Sequence, residues 1–342
     1  MHRIPSLTGI ALLLAACSSE NANAPPPPPV DWHAFEVPHA PHTGPTGPTR
    51  RERAVAESFV AAFSTPSWGE LPQLVAGDAH YVWPGMPDAR GHDAVIKAFD
   101  ATFGAFDKRV LAPSRVLRSD AATSVEWTFS GVQARDWMGV AATSKPVSFH
   151  GVAILFTKDD GSIADVHVIF DLAVVKAQLG AGPKELAALP PAPPPSGPVQ
   201  GVEAAHTPDE TRTVQVAHAW LDALEKNDEA GYVGAMTDDA VVETLERAQP
   251  AHGREEMKAH FKAMHHAISQ LDTTLDNAWG VGKYAVVEYY VAGEQVAPLG
   301  WLPPQRNKVV RLQVVDVMEM RDGKIAHVWR YDNPSQILAQ GM

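Results

Sequence analysis

The chain has 342 residues, of which 45% are hydrophobic and 8% aromatic, which is enough for two globular domains of ordinary size with linkers. Its formal net charge of -12 and the lack of a basic run argue against a nucleic-acid partner, because phosphate binding requires a concentrated basic surface. With a single cysteine, Cys17, no disulfide can form within the chain.

The N-terminal segment, residues 1–17, has the pattern of a secretory signal. A basic residue, Arg3, precedes an apolar run at 10–16 that is too short to span a bilayer. The run ends in Leu-Ala-Ala-Cys and resembles the lipobox of bacterial lipoproteins, in which the cysteine becomes the lipid-modified N-terminus. We therefore expect lipidation of Cys17, a membrane anchor through this lipid alone, and, from Ser18, an outer-membrane location in the cell envelope. The alternative is an ordinary signal peptide with an incidental thiol.

The next segment, residues 18–50, is rich in Pro, Ala, Asn and Gly and is predicted to be a disordered tether. It contains His33, His39 and His42. Their irregular spacing in a flexible segment favours solvated side chains over a metal site.

The first folded unit is predicted at 51–180. Apolar residues at helical spacing predict an amphipathic helix near the start, and two more helices are predicted before residue 104. Later, two segments rich in Val, Ile and Phe flank Asp159-Asp160-Gly161, and Asp-Gly between such segments is typical of a β-hairpin. The second strand of this hairpin ends at Asp171, ahead of a short amphipathic tail.

A second Pro-rich segment, residues 181–208, is predicted to be a linker without regular structure and with few contacts. From residue 209 to 342 the pattern of the first unit returns, which indicates a tandem duplication rather than a solenoid of short repeats. The copies differ, because the stretch from Gly161 to Asp171 is one residue longer than that from Gly323 to Asp332. Such an offset reverses the face of a strand unless a bulge absorbs it, so Asp332 cannot be assumed to act as Asp171 does.

The first unit resembles the SnoaL-like polyketide cyclases, which belong to the nuclear-transport-factor-2-like superfamily. The matching features are Thr143-Ser144-Lys145 in a loop, Asp160-Gly161 before the last strand, Phe170-Asp171 at its end and the closing Gln178-Leu179-Gly180. The second unit is more distant, since it ends in Ala339-Gln340-Gly341. The resemblance implies an α+β fold with two tandem cone-shaped α+β barrel domains, each a strongly bent mixed sheet wrapped on N-terminal helices.

In these cyclases the aspartate at the position of Asp171 is the general acid/base, which removes a proton next to a carbonyl and returns it. The resemblance therefore implies a catalytic Asp171 in a pocket for a small apolar ligand, with no metal or organic cofactor. This role requires a pKa raised by an apolar pocket. The structural alternative is a helix N-cap, because Asp is favoured immediately before a helix.

Alternation along the last strand places His167 on the face of Asp171, either as a second pocket acid/base or as a buried structural histidine. Further pocket-lining positions are predicted at Trp83, Glu126, Trp137 and His150 in the first unit and at Glu243, Glu288, Arg311, Trp329 and Asp332 in the second. An ion pair between Glu288 and Arg311 would make the second pocket structural rather than catalytic. The histidine spacing near His260 lacks a zinc motif, so we expect no metal.

Two functions compete at this point. One is cofactor-free acid/base chemistry of the cyclase or isomerase type at Asp171, and the other is a non-catalytic envelope module that binds a ligand or a protein. A pocket closed by aromatic side chains would argue against the enzyme. Members of the superfamily also pair through the convex faces of their sheets, so the two units can pack as an internal pseudo-dimer.

Overall fold

The computed structural model describes residues 50–120, 122–305 and 308–340. The predicted signal segment with Cys17, and the tether as far as residue 49, lie outside these ranges. Within them, no helix is both long enough and apolar enough to cross a membrane.

The first half of the chain forms a seven-stranded mixed sheet with helices on one face. Its elements are α1 (Arg50–Ala62), α2 (Leu71–Leu74), β1 (Val75–Val82), β2 (Ala89–Arg90), α3 (His92–Phe103), β3 (Phe106–Arg118), β4 (Thr123–Gln133), β5 (Pro146–Thr157), β6 (Ile163–Ile169), α4 (Leu172–Leu179) and β7 (Gln200–Glu203). The strand order is β2-β1-β6-β5-β4-β3-β7, with β1 parallel to β6 and β7 parallel to β3.

The second half repeats this plan with a six-stranded sheet in the order β10-β11-β12-β13-β8-β9. Its elements are α5 (Pro208–Glu225), α6 (Glu229–Gly234), β8 (Met236–Thr244), β9 (Ala251–His252), α7 (Gly253–Ala267), β10 (Ile268–Val281), β11 (Tyr284–Gln295), β12 (Val309–Arg321), β13 (Lys324–Asp332) and α8 (Ser335–Ala339). Strand β13 is parallel to β8, as β6 is to β1. The predicted fold class, two tandem α+β domains, is confirmed.

The helix boundaries follow from the local sequence. Helix α5 begins with a capping box in which the Thr207 hydroxyl accepts from the Glu210 amide and the Glu210 carboxylate accepts from the Thr207 amide. Helix α4 is capped at its N-terminus by Asp171, whose Oδ1 accepts from the Ala173 amide at 2.7 Å. Its C-cap is Gly180, which has a φ of 88° that few other residues adopt.

The segment at 181–208 has more structure than the sequence predicts. Strand β7 lies within it and pairs with β3, and Leu186 is buried. The Ala192 amide donates to the Ser148 carbonyl at 2.9 Å, and the Ser148 hydroxyl donates to the Ala192 carbonyl at 2.6 Å. The prediction of no regular structure and few contacts was wrong because prolines block only their own donors. The residues between them still donate to the first domain.

Each domain buries a core between its helices and one face of its sheet, which we call the inner face. The outer faces of the two sheets pack against each other. This interdomain core contains Leu117, Val152, Ile154, Phe156 and Ile169 of the first domain and Trp279, Val281, Tyr284, Val286, Val315, Val317 and Tyr331 of the second.

Counted from the glycine of the turn, the second strands of the two hairpins have equal length, because Gly161 to Asp171 matches Gly323 to Asn333 and not Gly323 to Asp332. In both sheets the strand after the turn carries a bulge at an alanine, Ala164 in β6 and Ala326 in β13. From there the registers agree, since Ala153 pairs with Val168 and Asp316 pairs with Arg330. Asn333 therefore occupies the place of Asp171, and Asp332 that of Phe170.

Candidate functional site

The inner face of the first domain is filled by aromatic rings. Trp83 stacks on Phe170 with ring centroids 4.6 Å apart, and Phe149 lies 4.9 Å from Phe170 on another side. Trp137 is also buried in this core, where its indole N–H donates to the Thr102 carbonyl at 2.7 Å. Trp83 and Trp137, predicted to line a pocket, are therefore core residues.

His167 and Glu126 lie on the outer face instead. After the bulge at Ala164, Val166, Val168 and Phe170 pack in the inner core, so His167 between them points the other way. Glu126 points the other way for the same reason, since its neighbours Val125 and Trp127 pack in that core. His167 Nδ1 lies 2.8 Å from Glu288 Oε1 of the second domain. The shared face predicted for His167 and Asp171 holds, but its assignment to the interior of the cone was wrong. Alternation fixes which residues share a face and not which face the helices cover.

Glu126 and Trp329, also predicted to line pockets, lie at the interdomain contact. Glu126 accepts from the Tyr331 hydroxyl at 2.8 Å and pairs with Arg115. The Arg115 guanidinium lies 3.7 Å from the centroid of Trp329. Burial raises the pKa of Glu126, whereas Arg115 and Tyr331 act in the opposite direction. These side chains join the domains rather than face a cone interior.

The predicted ion pair between Glu288 and Arg311 does not form. The Glu288 carboxylate accepts from Gln313 at 2.7 Å and from Asn277 at 2.8 Å, in addition to its contact with His167. The Arg311 guanidinium lies over the ring of Tyr290, 3.5 Å from its centroid. The prediction was wrong because Arg311 pairs with Ala292, four residues along β11 from Glu288.

Three predicted site residues do meet, around a cavity of about 180 Å³ between the domains. Asp171 and His150 line it from the first domain, and Glu243 lines it from the second. The other walls come from residues 189–193 and from the loop within 243–250. The lining is mixed, with Phe149, Val174, Leu189 and Leu245 among its apolar members and Gln178 and Arg247 among its polar ones.

Among the residues that line this cavity, Asp171 is the candidate acid/base group. Its side chain is 2% exposed, and its Oδ2 has no hydrogen-bond partner among the described residues. Burial raises the pKa of Asp171 to about 7, and the nearby Glu246 carboxylate raises it further, whereas the amides of Ala173 and Val174 lower it. A carboxyl group with this pKa can both accept and donate a proton at neutral pH.

The neighbouring groups are held in place by hydrogen bonds. His150 Nδ1 lies 3.0 Å from the Thr128 hydroxyl, and loss of hydration lowers the pKa of His150. His327 Nε2 lies 2.8 Å from Glu243 Oε1 and lowers the pKa of Glu243. Glu243 is therefore a charged carboxylate at neutral pH, where Asp171 is only partly ionised.

The inner face of the second domain contains a polar network that the sequence analysis missed. Arg330 donates to Asp316 through Nε at 2.9 Å and through Nη2 at 2.8 Å, and the Tyr289 hydroxyl donates to Asp316 at 2.8 Å. Asp332 lies near this network, and burial followed by the Glu246 and Asp171 charges raises its pKa well above the ordinary value. The sequence offered one signal for this network. Asp316 shares the alternation of Val314 and Met318, which places a charged residue on an otherwise apolar strand face.

Two family models match the sequence. Residues 53–179 match the model described as SnoaL-like polyketide cyclase, and residues 217–328 match the model described as SnoaL-like domain. A search of curated proteins found no match.

Solved structures with similar folds each cover one domain's length of the chain. A protein from Jannaschia sp. CCS1 described as a SnoaL-like polyketide cyclase is 19% identical, with a TM-score of 0.35, and covers 39% of this chain and 95% of its own. An LEH-like epoxide hydrolase from M. tuberculosis is 19% identical, with a TM-score of 0.33, and covers 39% and 91%. A Catenulispora acidiphila protein with a ketosteroid isomerase-like fold, in complex with trimethylamine, is 16% identical, with a TM-score of 0.33, and covers 38% and 93%.

Proposed function

Because this chain belongs to the SnoaL-like family, with one domain in each half, we propose that it binds a small apolar carbonyl compound in the cavity beside Asp171. There Asp171 performs cofactor-free acid/base chemistry of the cyclase or isomerase type. The observation that carries this proposal is that Asp171 lines the cavity and that its buried Oδ2 has no hydrogen-bond partner among the described residues.

The cavity limits the size of the ligand. A buried apolar cavity of about 150 Å³ holds one benzene molecule. A volume of about 180 Å³ therefore suits a single small ring with a carbonyl group rather than a polycyclic compound. The apolar wall at Val174 and Leu189 would contact the ring, and Gln178 and Arg247 supply donors for an oxygen atom.

The proton transfer needs only Asp171. Its ionised Oδ2 accepts a proton from the carbon next to the carbonyl, and the electron pair of that C–H bond moves toward the carbonyl oxygen. The protonated carboxyl then returns the proton to this carbon while the electron pair moves back from the oxygen to form the C–H bond. A pKa near 7 keeps both forms populated at neutral pH.

The test is hydrogen–deuterium exchange of cyclohexanone in D₂O, followed by the loss of its α-proton NMR signals. We expect the full chain to accelerate the exchange above the buffer rate. Asp171→Asn should return it to the buffer rate, and Asp107→Asn, an exposed aspartate on β3, should leave it unchanged. Exchange that persists in Asp171→Asn would contradict the assignment.

A second function, a non-catalytic binding module, is favoured by the aromatic filling of the first inner core and by the helix cap that Asp171 provides. The same samples distinguish the two. Saturation-transfer signals from cyclohexanone without any accelerated exchange would support binding alone. Absence of both binding and exchange would contradict both functions for this ligand class.

We further propose that the protein is exported and lipid-anchored at Cys17, with an outer-membrane location. The support is the sequence of residues 1–18. In a Gram-negative host fed radiolabelled palmitate, the wild-type protein should carry the label and Cys17→Ser should not. An unlabelled wild-type protein would overturn this proposal.

The two domains are also proposed to act as an internal pseudo-dimer. This is supported by the interdomain core and by the contacts of His167 with Glu288 and of Tyr331 with Glu126.

A further inference from the structure

We propose that His167, Asp276 and Glu288 bind a divalent transition-metal ion between the two domains, with Zn²⁺ as the best fit. One ligand atom from each of the three side chains can be chosen so that all lie within 4.8 Å of one another. This site is separate from the cavity beside Asp171 and does not depend on the function proposed for it.

Three strands bring the ligands together. His167 lies on the outer face of β6, and Glu288 lies on the outer face of β11 directly across the interdomain contact. Asp276 is the extra residue of a β-bulge in β10, since Leu275 pairs with Tyr289 and Asn277 pairs with Glu288. A bulge re-aims a side chain, and here it brings the Asp276 carboxylate to the side of Glu288.

Two side-chain amides, those of Gln313 and Asn277, hold the Glu288 carboxylate in place. Gln313 Nε2 donates to Oε1 at 2.7 Å and Asn277 Nδ2 donates to Oε2 at 2.8 Å. Such hydrogen bonds to a ligating carboxylate fix its position at metal sites. Glu288 is completely buried, so its orientation is set before any ion binds.

The distances require little movement. Zinc binds imidazole nitrogen and carboxylate oxygen at about 2.0–2.2 Å, which places two ligands of a tetrahedral ion about 3.4 Å apart. His167 Nδ1 and Glu288 Oε1 are 2.8 Å apart, so a small separation of the two side chains admits the ion. The cation would take the place of the proton between them.

The charge and the atom types select the ion. Two carboxylates and a neutral imidazole balance a charge of +2, and buried carboxylates are normally paired or metal-bound. Imidazole suits Zn²⁺, whereas Mg²⁺ and Ca²⁺ prefer oxygen ligands alone. Asp276 is partly exposed, which gives the ion a path from solvent and leaves room for a water ligand. No contiguous motif could indicate this site, because His167 and Glu288 are 121 residues apart.

The experiment uses the full chain after treatment with a chelator, with Co²⁺ as a spectroscopic probe and Zn²⁺ as its competitor. We expect one Co²⁺ per chain with visible d–d absorption, displaced by Zn²⁺, and a higher melting temperature with Zn²⁺. Asp276→Asn should weaken the affinity at least about tenfold and remove the thermal shift. Asp272→Asn, four residues earlier in β10, is the matched control and should bind as the wild type does.

Asp276 is partly exposed and therefore tolerates substitution better than the buried Glu288 does. Unchanged Co²⁺ spectra and Zn²⁺ affinity in Asp276→Asn would overturn the proposal, since binding would then reside elsewhere. So would a wild-type protein without a Co²⁺ spectrum or a Zn²⁺-dependent thermal shift.

Discussion

Asp171 uses its two carboxylate oxygens for different purposes. Oδ1 caps α4 through the Ala173 amide, and Oδ2 is buried without a hydrogen-bond partner among the described residues. The helix-cap alternative and the acid/base hypothesis therefore describe different atoms of one residue. They can be separated by a substitution that keeps the cap and removes the charge.

We expect Asp171→Asn to stabilise the protein at pH 8, because Asn caps helices about as well as Asp. The pKa of Asp171 near 7 in the folded state lies above its ordinary value of 3.8, so the folded state binds the extra proton between these values. Stability from this group therefore falls as the pH rises from about 4 to about 7. One pKa unit is worth about 1.4 kcal/mol, so the shift from 3.8 to about 7 corresponds to a gain of at most about 4 kcal/mol at pH 8.

Urea unfolding of both proteins between pH 4 and pH 8 checks this. The difference between them should be small at pH 4 and should grow with pH. Parallel curves would show that Asp171 has an ordinary pKa, and they would remove the main physical support for its acid/base role.

His80 makes the free energy of unfolding depend on pH in a higher range than Asp171 does. Its Nε2 lies 3.1 Å from Asp88 and its Nδ1 lies 3.1 Å from Asp165. Hydrogen bonds to Asp165 and then Asp88 raise the pKa of His80 to about 9, although burial opposes them. The stability from this group is fully present below pH 6.5 and is lost as the pH rises through about 9.

Replacing His80 by Gln should therefore lower the melting temperature at pH 6 and have little effect at pH 10. The expected loss at pH 6 is at most about 3 kcal/mol. Thermal unfolding at both pH values measures it. An equal loss at both would mean that His80 contributes through packing and not through its charge.

For single residues, the sequence predicts which side chains can carry acid/base chemistry better than it predicts where they lie in the fold. Asp171, His150 and Glu243 were singled out and do line one cavity. His167 and Glu126 were singled out for the same reasons but lie in the interdomain contact. Period-two alternation is identical for the two faces of a strand, so only the packing of the helices decides between them.

At the scale of elements, the two sheets share one register and differ in what their inner faces carry. Where the first has Ala153 opposite Val168, the second has Asp316 opposite Arg330. The turn of the first domain has one more residue before its glycine, between Thr157 and Gly161, than the turn between Met320 and Gly323. Counting residues from the glycine therefore aligns Asp332 with Phe170 directly, and Asn333 with Asp171.

The buried Asp316–Arg330 ion pair of the second domain should show coupled effects on the free energy of unfolding. Asp316→Ala leaves the Arg330 charge without its partner in the interior, and we expect it to cost about 3–5 kcal/mol. Adding Arg330→Val, which copies the first domain, should recover part of this loss because the uncompensated charge is gone. Equilibrium denaturation of the two single variants and the double variant measures the coupling. Additive losses would show that the two side chains do not form a buried ion pair.

At the scale of the whole molecule, the domains are held by an apolar centre with polar contacts around it. The centre includes Val286 and Val317, both fully buried, and the surrounding contacts include the Glu126–Tyr331 hydrogen bond. The Pro-rich segment lies along the first domain and forms one wall of the cavity. Neither feature follows from composition, since each depends on how two distant sheets meet.

Val317→Asp tests whether the domains depend on this contact. A carboxylate at a fully buried apolar position costs several kcal/mol, and separating the outer faces would relieve that cost. Because each domain has its own core, we expect both to stay folded, with a larger radius of gyration and a second unfolding step. Val110→Asp, at a side chain that is 46% exposed on β3, is the control and should leave both properties unchanged. Small-angle scattering and circular dichroism melts measure them, and wild-type behaviour of Val317→Asp would contradict the pseudo-dimer.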